Sequence, residues 1–403
     1  MTELVKIGIV FFLILVLSFR KVNLGLSLFV STFLLGFFFH LPAGKIVWDI
    51  LTAAVSGNTL YLLGAWVTIL FFSGLLKETG RMTEILEGFR HIFRDMRLVI
   101  AILPAMIGLV PIVGGALVSA PMVVEGSDEL GLSAERRTFV NYWFRHLWEY
   151  VMPIYPGLIL AATILEMPVR RFGWINLPFT LMAILTGSLV GFWGVARSVS
   201  HSTASNAAVV RRLLMNLLPL IFGLFLTLAL KVELVLAFGL TILGMVFFYR
   251  IDKHRAWKAL RESVSVDLLV MGIAVMGFKE VLESSRAIPA VSGALSSSGV
   301  PLWLIAMFIP FLVGLMTGLT VAPPAISFPI LIPLFKDSPH FLSTMMLAYA
   351  SGICGNMISP LHLCLVLTKN YFHADWGGIY RWLWLPVASV QVLGLLIAFF
   401  WPV

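Results

Sequence analysis

Apolar residues come along this chain in blocks of about 17 to 22, the length a helix needs to cross a bilayer, with short polar stretches between them. Read block by block, the pattern predicts ten membrane-spanning helices, near residues 4–19, 24–39, 57–76, 139–165, 178–196, 213–230, 232–249, 265–282, 342–367 and 381–402. Two apolar stretches remain, about 98–125 and 301–335. Each is too long for one comfortable span, and Pro and Gly interrupt each too often for one continuous helix. Backbone that leaves the helix at membrane depth survives only when buried in protein or lining a wet cavity. Both stretches are therefore expected to be re-entrant hairpins that enter and leave on the same side. The predicted fold class is an all-α polytopic membrane protein, with about ten transmembrane helices plus two re-entrant hairpins in an inverted repeat.

The repeat rests first on the hairpins. Residues 102–121 and 308–329 each open with Pro, three residues, then Gly-Leu (Pro104 and Gly108, Pro310 and Gly314). Each closes with Ser, one residue, then Pro (Ser119 and Pro121, Ser327 and Pro329). An offset of 206 or 207 also lays helix 57–76 over 265–282, Asn141-Tyr142 over Ala348-Tyr349, and Pro153 over Pro360. The halves are 1–196 and 213–403, joined by a Ser-containing linker with basic ends, 197–212. Each half holds five spans and one hairpin. Five is odd, so the second half is expected to sit upside down relative to the first. Paired interrupted apolar segments, one in each half, point to the binding site of a secondary transporter.

Composition agrees with this pattern: of 403 residues, 60% are hydrophobic and 12% charged, where a soluble domain carries about a quarter charged. Charge adds an orientation. The arrangement places 19 Lys and Arg on one side and 7 on the other, with Arg145 and Lys279 set aside as embedded or near a helix end. The richer side is expected to face the cytoplasm. That puts both termini outside and the chain in the cell (inner) membrane. Because the net charge of +8 sits in these short loops, the implied partner is the lipid bilayer and not nucleic acid. The first apolar block lacks a basic leader and a small-residue cleavage site, so it reads as a retained helix. Cys354 and Cys364 share one apolar segment, and neither a disulfide nor a zinc site is expected from them. Residues 80–97 read as an amphipathic helix along the cytoplasmic surface. Residues 286–299 occupy the matching place in the second half.

Candidate chemistry gathers where the pattern is interrupted. Gly114, Gly115 and Gly318 permit tight turns and close approach of backbone to a ligand, and helices ending at such breaks aim amides and dipole ends at it. Ser119, Thr317, Thr320 and Ser327 add hydroxyls that can donate to an anion or accept from a cation. Small residues and Pro can also serve only to kink helices and let them pack closely. The matched pair favours a binding site. Downstream of hairpin one, Arg145, His146 and Glu149 lie inside an apolar span, where ionisable groups default to function. Arg145 and Glu149 are four apart, able to pair on one helical face. If that pair opens, Arg145 is a bidentate partner for a carboxylate or phosphate. His146 titrates near neutral pH and suits a coupling proton. In the second half, Gly352, Gly355 and Pro360 weaken the corresponding helix, and Asn356 and Ser359 offer side-chain oxygens to a cation. Asn356 stands opposite Glu149 by the offset. The expected substrate set is therefore Gly114, Gly115, Ser119, Arg145, Thr317, Thr320 and Ser327. The expected ion-coupling set is His146, Glu149, Asn356 and Ser359. No metal or other cofactor is expected beyond a coupling ion. No His-Glu-x-x-His, Gly-Lys-Ser/Thr or Gly-x-Ser-x-Gly signature occurs, so an enzyme is not expected.

The hairpin 108–121, the Arg145-His146 helix after it and the ten spans together resemble the prokaryotic membrane family catalogued as domain of unknown function 401. That family is distantly similar to gluconate permeases in the ion transporter superfamily. The resemblance implies a secondary transporter with two re-entrant hairpins, often a homodimer with an elevator-like transport domain, and many members carry organic anions with sodium or protons. The expected function is secondary active transport of a small organic anion, a monocarboxylate or sugar acid, coupled to protons or sodium. The alternatives are a passive anion channel and a membrane-embedded enzyme acting on a lipid-linked substrate.

Overall fold

A computed structural model of the chain describes residues 3–20, 22–92, 95–110, 115–197, 207–285, 287 and 301–401. The expected segment 286–299, most of the linker and Gly114 lie outside these residues. The first half runs α1 (Glu3–Phe19), α2 (Leu24–Phe38), α3 (Ala43–Ala54), α4 (Gly57–Glu78) and α5 (Arg81–Ile92). Hairpin one follows as α6 (Met96–Gly108) and α7 (Ala116–Glu129). Then come α8 (Ala134–Arg145), a 3-10 turn (Leu147–Tyr150), α9 (Pro156–Ile164), α10 (Val169–Ile175) and α11 (Leu177–Phe192). The second half runs α12 (Ala207–Leu228), α13 (Leu234–Phe248), α14 (Lys253–Ser263) and α15 (Val266–Ser284). Hairpin two is α16 (Leu302–Thr317) and α17 (Ala322–Phe335), followed by α18 (Phe341–Met357), α19 (Leu363–Phe372) and α20 (Trp376–Phe400). Each expected span is met by one helix or by a helix interrupted once.

Helix starts follow local chemistry. Asn23, Ser56, Ser133, Asp252, Ser265 and Asp375 each accept a hydrogen bond from a backbone amide in the first turn of the following helix, satisfying donors that have no intrahelical partner. Lateral faces are apolar and exposed. On α13 Leu236, Leu240, Leu243 and Phe247 lie outward, on α12 Leu214, Leu218, Ile221 and Phe225, and on α11 Leu181, Leu185 and Leu189. Stripes of this length on several helices would be insoluble in water and are stable only against lipid. Among the described residues α4, α12 and α20 are each long and apolar enough to cross a membrane unaided, and α10 with α11, bent by 45°, makes a fourth such unit. The protein is a multi-pass helical membrane protein.

The two halves repeat in packing as well as in order. α2 packs on α15 and α13 on α4; α3 packs on α15 and α14 on α4. The arms α6 and α7 pack on each other, as do α16 and α17. The second arm of each hairpin then crosses to the other half, α7 lying on α19 and α17 on α9. Contacts exchanged in this way are those of a pseudo-twofold assembly. Two elements were not foreseen. α3 and α14 are short amphipathic helices at matching positions, where the pattern had suggested only charged loops. They bury narrow faces, Ile46, Asp49 and Ile50 in one and Ala259 and Ser263 in the other.

Candidate functional site

Proline has no amide hydrogen and disfavours helix in the residue before it. Pro153 and Pro156 therefore end the span begun by α8. The α-helix stops at Arg145, His146 follows as its cap, and Leu147–Tyr150 tightens into the 3-10 turn. Pro156 opens α9, where its missing amide is no loss. In the second half Pro360 separates α18 from α19. The first break thus starts at His146, upstream of Pro153 and Pro156. It also removes the helical face that Arg145 and Glu149 were expected to share, since the α-helix ends between them.

The two breaks hold each other. Tyr142 Oη donates to the Met357 carbonyl at 3.1 Å, and Tyr349 Oη, its mate at offset 207, donates to the Glu149 carbonyl at 2.8 Å. Each break is also tied to the hairpin of its own half. Tyr155 Oη donates to the Gly108 carbonyl at the end of α6, and Ser359 Oγ donates to the Leu315 carbonyl in α16 at 2.6 Å. Backbones approach closely at both places. A β-carbon on Gly108 would stand 2.0 Å from the Arg145 carbonyl oxygen, and one on Gly314 would stand 2.2 Å from that of Gly352. Since 108 maps to 314 and 145 to 352, one contact is built twice.

At the centre of this frame lie groups seldom found at membrane depth. Arg145, His146 and Glu149 are only 5–6% exposed. A β-carbon on Gly115, at the start of α7, would come within 2.7–2.9 Å of the Arg145 guanidinium, so the hairpin backbone lies directly on that group. His146 Nε2 is 3.9 Å from Glu149 Oε1. The His146 and His362 rings sit 4.9 Å apart and edge-on, and Tyr142 Oη is 3.1 Å from His362 Nδ1. Glu149 Oε2 and both side-chain polar atoms of Asn356 are buried without a hydrogen-bond partner among the described residues.

The hydroxyls were expected to donate to an anion or to accept from a cation, and three of them have their hydrogens engaged. Ser119 Oγ donates to the Ala116 carbonyl at 3.3 Å, Thr317 Oγ1 to the Val313 carbonyl at 2.7 Å, and Ser327 Oγ to the Pro323 carbonyl. Each has used its single hydrogen on its own helix and keeps only acceptor lone pairs. Thr320 sits in the turn of hairpin two, its carbonyl 2.7 Å from where a Gly157 β-carbon would be. Ser359, besides its bond to Leu315, accepts from the Leu361 amide at 3.2 Å, so it braces the second break. Two residues at this centre, Tyr155 and His362, were not singled out from sequence, and Cys364 was named there only to set aside a disulfide or zinc site. Tyr142 and Tyr349 were aligned by the repeat, and that alignment was the signal for their reciprocal bonds.

Two helix breaks and two hairpins meeting at one buried polar centre define a helical membrane protein of the two-hairpin, repeated-half kind. The chain belongs to the family described as Protein of unknown function (DUF401), whose match spans residues 4–400. Among solved structures it is similar to that of the YdaH transporter of Alcanivorax borkumensis, described as having an unusual topology. The TM-score is 0.64 at 15% identity, over 90% of this chain and 90% of that one. No curated protein matches the chain in sequence.

Proposed function

We infer that the chain is a secondary active transporter of a small organic anion, a monocarboxylate or sugar acid, coupled to protons or sodium. The observation that carries this reading is the convergence of both breaks and both hairpins, each half repeating the other's contacts. Interrupted helices at a repeat interface are the form that binding sites of secondary transporters take. The similar YdaH protein is itself described as a transporter, which supports the class. Arg145, pressed against Gly115, supplies a planar fork for a carboxylate. Ser119, Thr317 and Ser327, left as acceptors, suit a coupling cation, while His146 and Glu149 suit a proton. Asn356 and Ser359 complete the ion-facing side in the second half.

The geometry of movement belongs to the same reading. Helices α2, α3, α4 and α13–α15 pack mainly among themselves and form the fixed part. The hairpins and broken helices form the part that slides against it, as an elevator. With five spans per half the halves are inverted, hairpin one opening to the cytoplasm and hairpin two outward. Both termini then lie outside the inner membrane, and the chain acts as a homodimer without cofactor or chemical conversion of its substrate. A polar cavity of about 440 Å³, lined by Tyr61, Glu166, Arg170, Lys231 and Glu233, opens at the far end of α9. That helix has nine residues, so the cavity stands roughly 13 Å from the break, and it serves as a vestibule.

The test is uptake into proteoliposomes, after a thermal-shift screen of organic acids with and without sodium has picked the solute. Under an imposed proton or sodium gradient the solute should accumulate against its own gradient, and Arg145→Lys should lower the rate by roughly tenfold or more, since a point charge cannot replace a bidentate fork. Flux that only runs downhill marks a channel. Turnover of a lipid-linked substrate without flux marks an enzyme.

A further inference from the structure

The buried centre contains a donor set of which the transport reading uses only His146 and Glu149, and those only for a proton. His146, His362 and Cys364 each place one ligand atom within 4.8 Å of the others, and all three side chains are buried. The orientation of both imidazoles is fixed from behind. His146 Nδ1 lies 2.6 Å from the Tyr142 carbonyl, which can only accept, so Nδ1 carries the hydrogen and Nε2 keeps its lone pair. His362 Nδ1 lies 3.2 Å from the Asn356 carbonyl and 3.1 Å from Tyr142 Oη, whose own hydrogen goes to Met357. It too is the protonated nitrogen, and Nε2 is the free one. An imidazole whose far nitrogen is held by a carbonyl is the usual presentation of a metal-binding histidine. Glu149 Oε1 stands 3.9 Å from His146 Nε2, and its other oxygen has no hydrogen-bond partner among the described residues.

We propose that His146, His362 and Cys364, with Glu149 as fourth ligand, form a site for a thiophilic divalent transition-metal ion of the zinc class. Of these four side chains only Cys364 carries a donor hydrogen toward the centre; Arg145 adjoins its sulfur, yet Glu149 Oε2 has no hydrogen-bond partner among the described residues, and a metal cation would serve it and both imidazole lone pairs. Binding replaces the thiol hydrogen: the metal–sulfur bond forms, the S–H bond breaks, and a proton leaves to solvent. Ligand bonds of about 2.0–2.1 Å to nitrogen and about 2.3 Å to sulfur set tetrahedral ligand atoms roughly 3.5 Å apart, so His146, His362 and Cys364 close by about an ångström, and Glu149, which lies outside their 4.8 Å set, moves farther. His146 belongs to the first break and His362 and Cys364 to the second. The ion would therefore bridge the two halves.

The full chain in detergent, stripped by a chelator, is titrated with cobalt(II) as the spectroscopic probe. The expected result is one ion per chain with near-ultraviolet thiolate-to-cobalt charge-transfer absorption. Cys364→Ser should abolish that absorption and Cys354→Ser should keep it. His146→Gln or His362→Gln, checked for folding by gel filtration and circular dichroism, should weaken binding by roughly tenfold or more. A spectrum without the thiolate band, or a band that persists in Cys364→Ser, overturns the proposal. Neither transport nor its substrate enters the measurement, so its failure is separate from any failure of the transport reading.

Discussion

A methyl group on Gly108 or Gly314 would collide with a carbonyl oxygen of the broken helix beside it, and neither backbone can withdraw without moving its helix. Alanine at either position is expected to lower the stability of the protein by about 1–3 kcal/mol or more, read as thermal unfolding in detergent. Gly8 and Gly44 are the controls, since a β-carbon there meets nothing within 4 Å. Alanine at these helical positions should be neutral or stabilising, by up to about 1 kcal/mol. At this scale sequence gave part of the answer. The spacing Pro104–Gly108 and Pro310–Gly314 was visible because both members are local. His362 and Cys364 were passed over because their partner His146 lies more than 200 residues away, and no periodicity within one helix reports such a neighbour. The hydroxyls of Ser119, Thr317 and Ser327 were visible as groups, but not that their hydrogens were already committed to carbonyls in their own helices.

Helix α5 is held to α12 by polar contacts at the membrane surface. Arg212 grips the Glu84 carboxylate with two bonds, of 2.6 and 3.0 Å, and Asn216 adds a third at 2.7 Å. Arg81 completes the network through Asn216 Oδ1 at 2.6 Å, its guanidinium stacked 3.3 Å over the Tyr249 ring. Hydrogen bonds from Arg212 and then Asn216 hold the Glu84 carboxyl below its usual range. A carboxyl depressed in the folded state stabilises above its unfolded pKa and loses that contribution as pH falls through the lowered folded value. The docking of α5 should therefore be intact at neutral pH and loosen in acid, below about pH 4. Hydrogen exchange in residues 81–92 is the measurement, and Glu84→Gln should bring the same loosening at pH 7. Unchanged exchange in both cases would show that apolar packing alone holds the helix. Among elements, the long spans were legible from block length. α3 and α14 were not, because faces of four and two buried residues are too narrow to stand out. The position of the first break was not legible because a 3-10 turn lets the helix end well before Pro153.

For the molecule as a whole, the proposed inverted arrangement makes a sharp prediction about accessibility. In a background without Cys354 and Cys364, single cysteines at Glu129, the end of hairpin one, and at Asp337, beyond hairpin two, should react with a membrane-impermeant reagent from opposite sides. Both residues are exposed. Labelling from the same side would rule out inverted halves. The matching order of elements in the two halves was legible from an offset, whereas the crossing of α7 onto α19 and of α17 onto α9 was not, since it depends on packing between halves. The reciprocal tyrosine bonds carry one more consequence. Were the two halves chemically identical, swapping their roles would give two conformations of equal energy, populated evenly without any ligand. Tyr142 instead reaches the carbonyl of Met357 while Tyr349 reaches that of Glu149, a register one residue out of true symmetry, and Glu149 corresponds in sequence to the uncharged Asn356. A difference of one hydrogen bond, about 1 kcal/mol, skews such a pair of states by about fivefold. The protein would then rest facing one side of the membrane, with the direction of that bias set by the residues that break its symmetry.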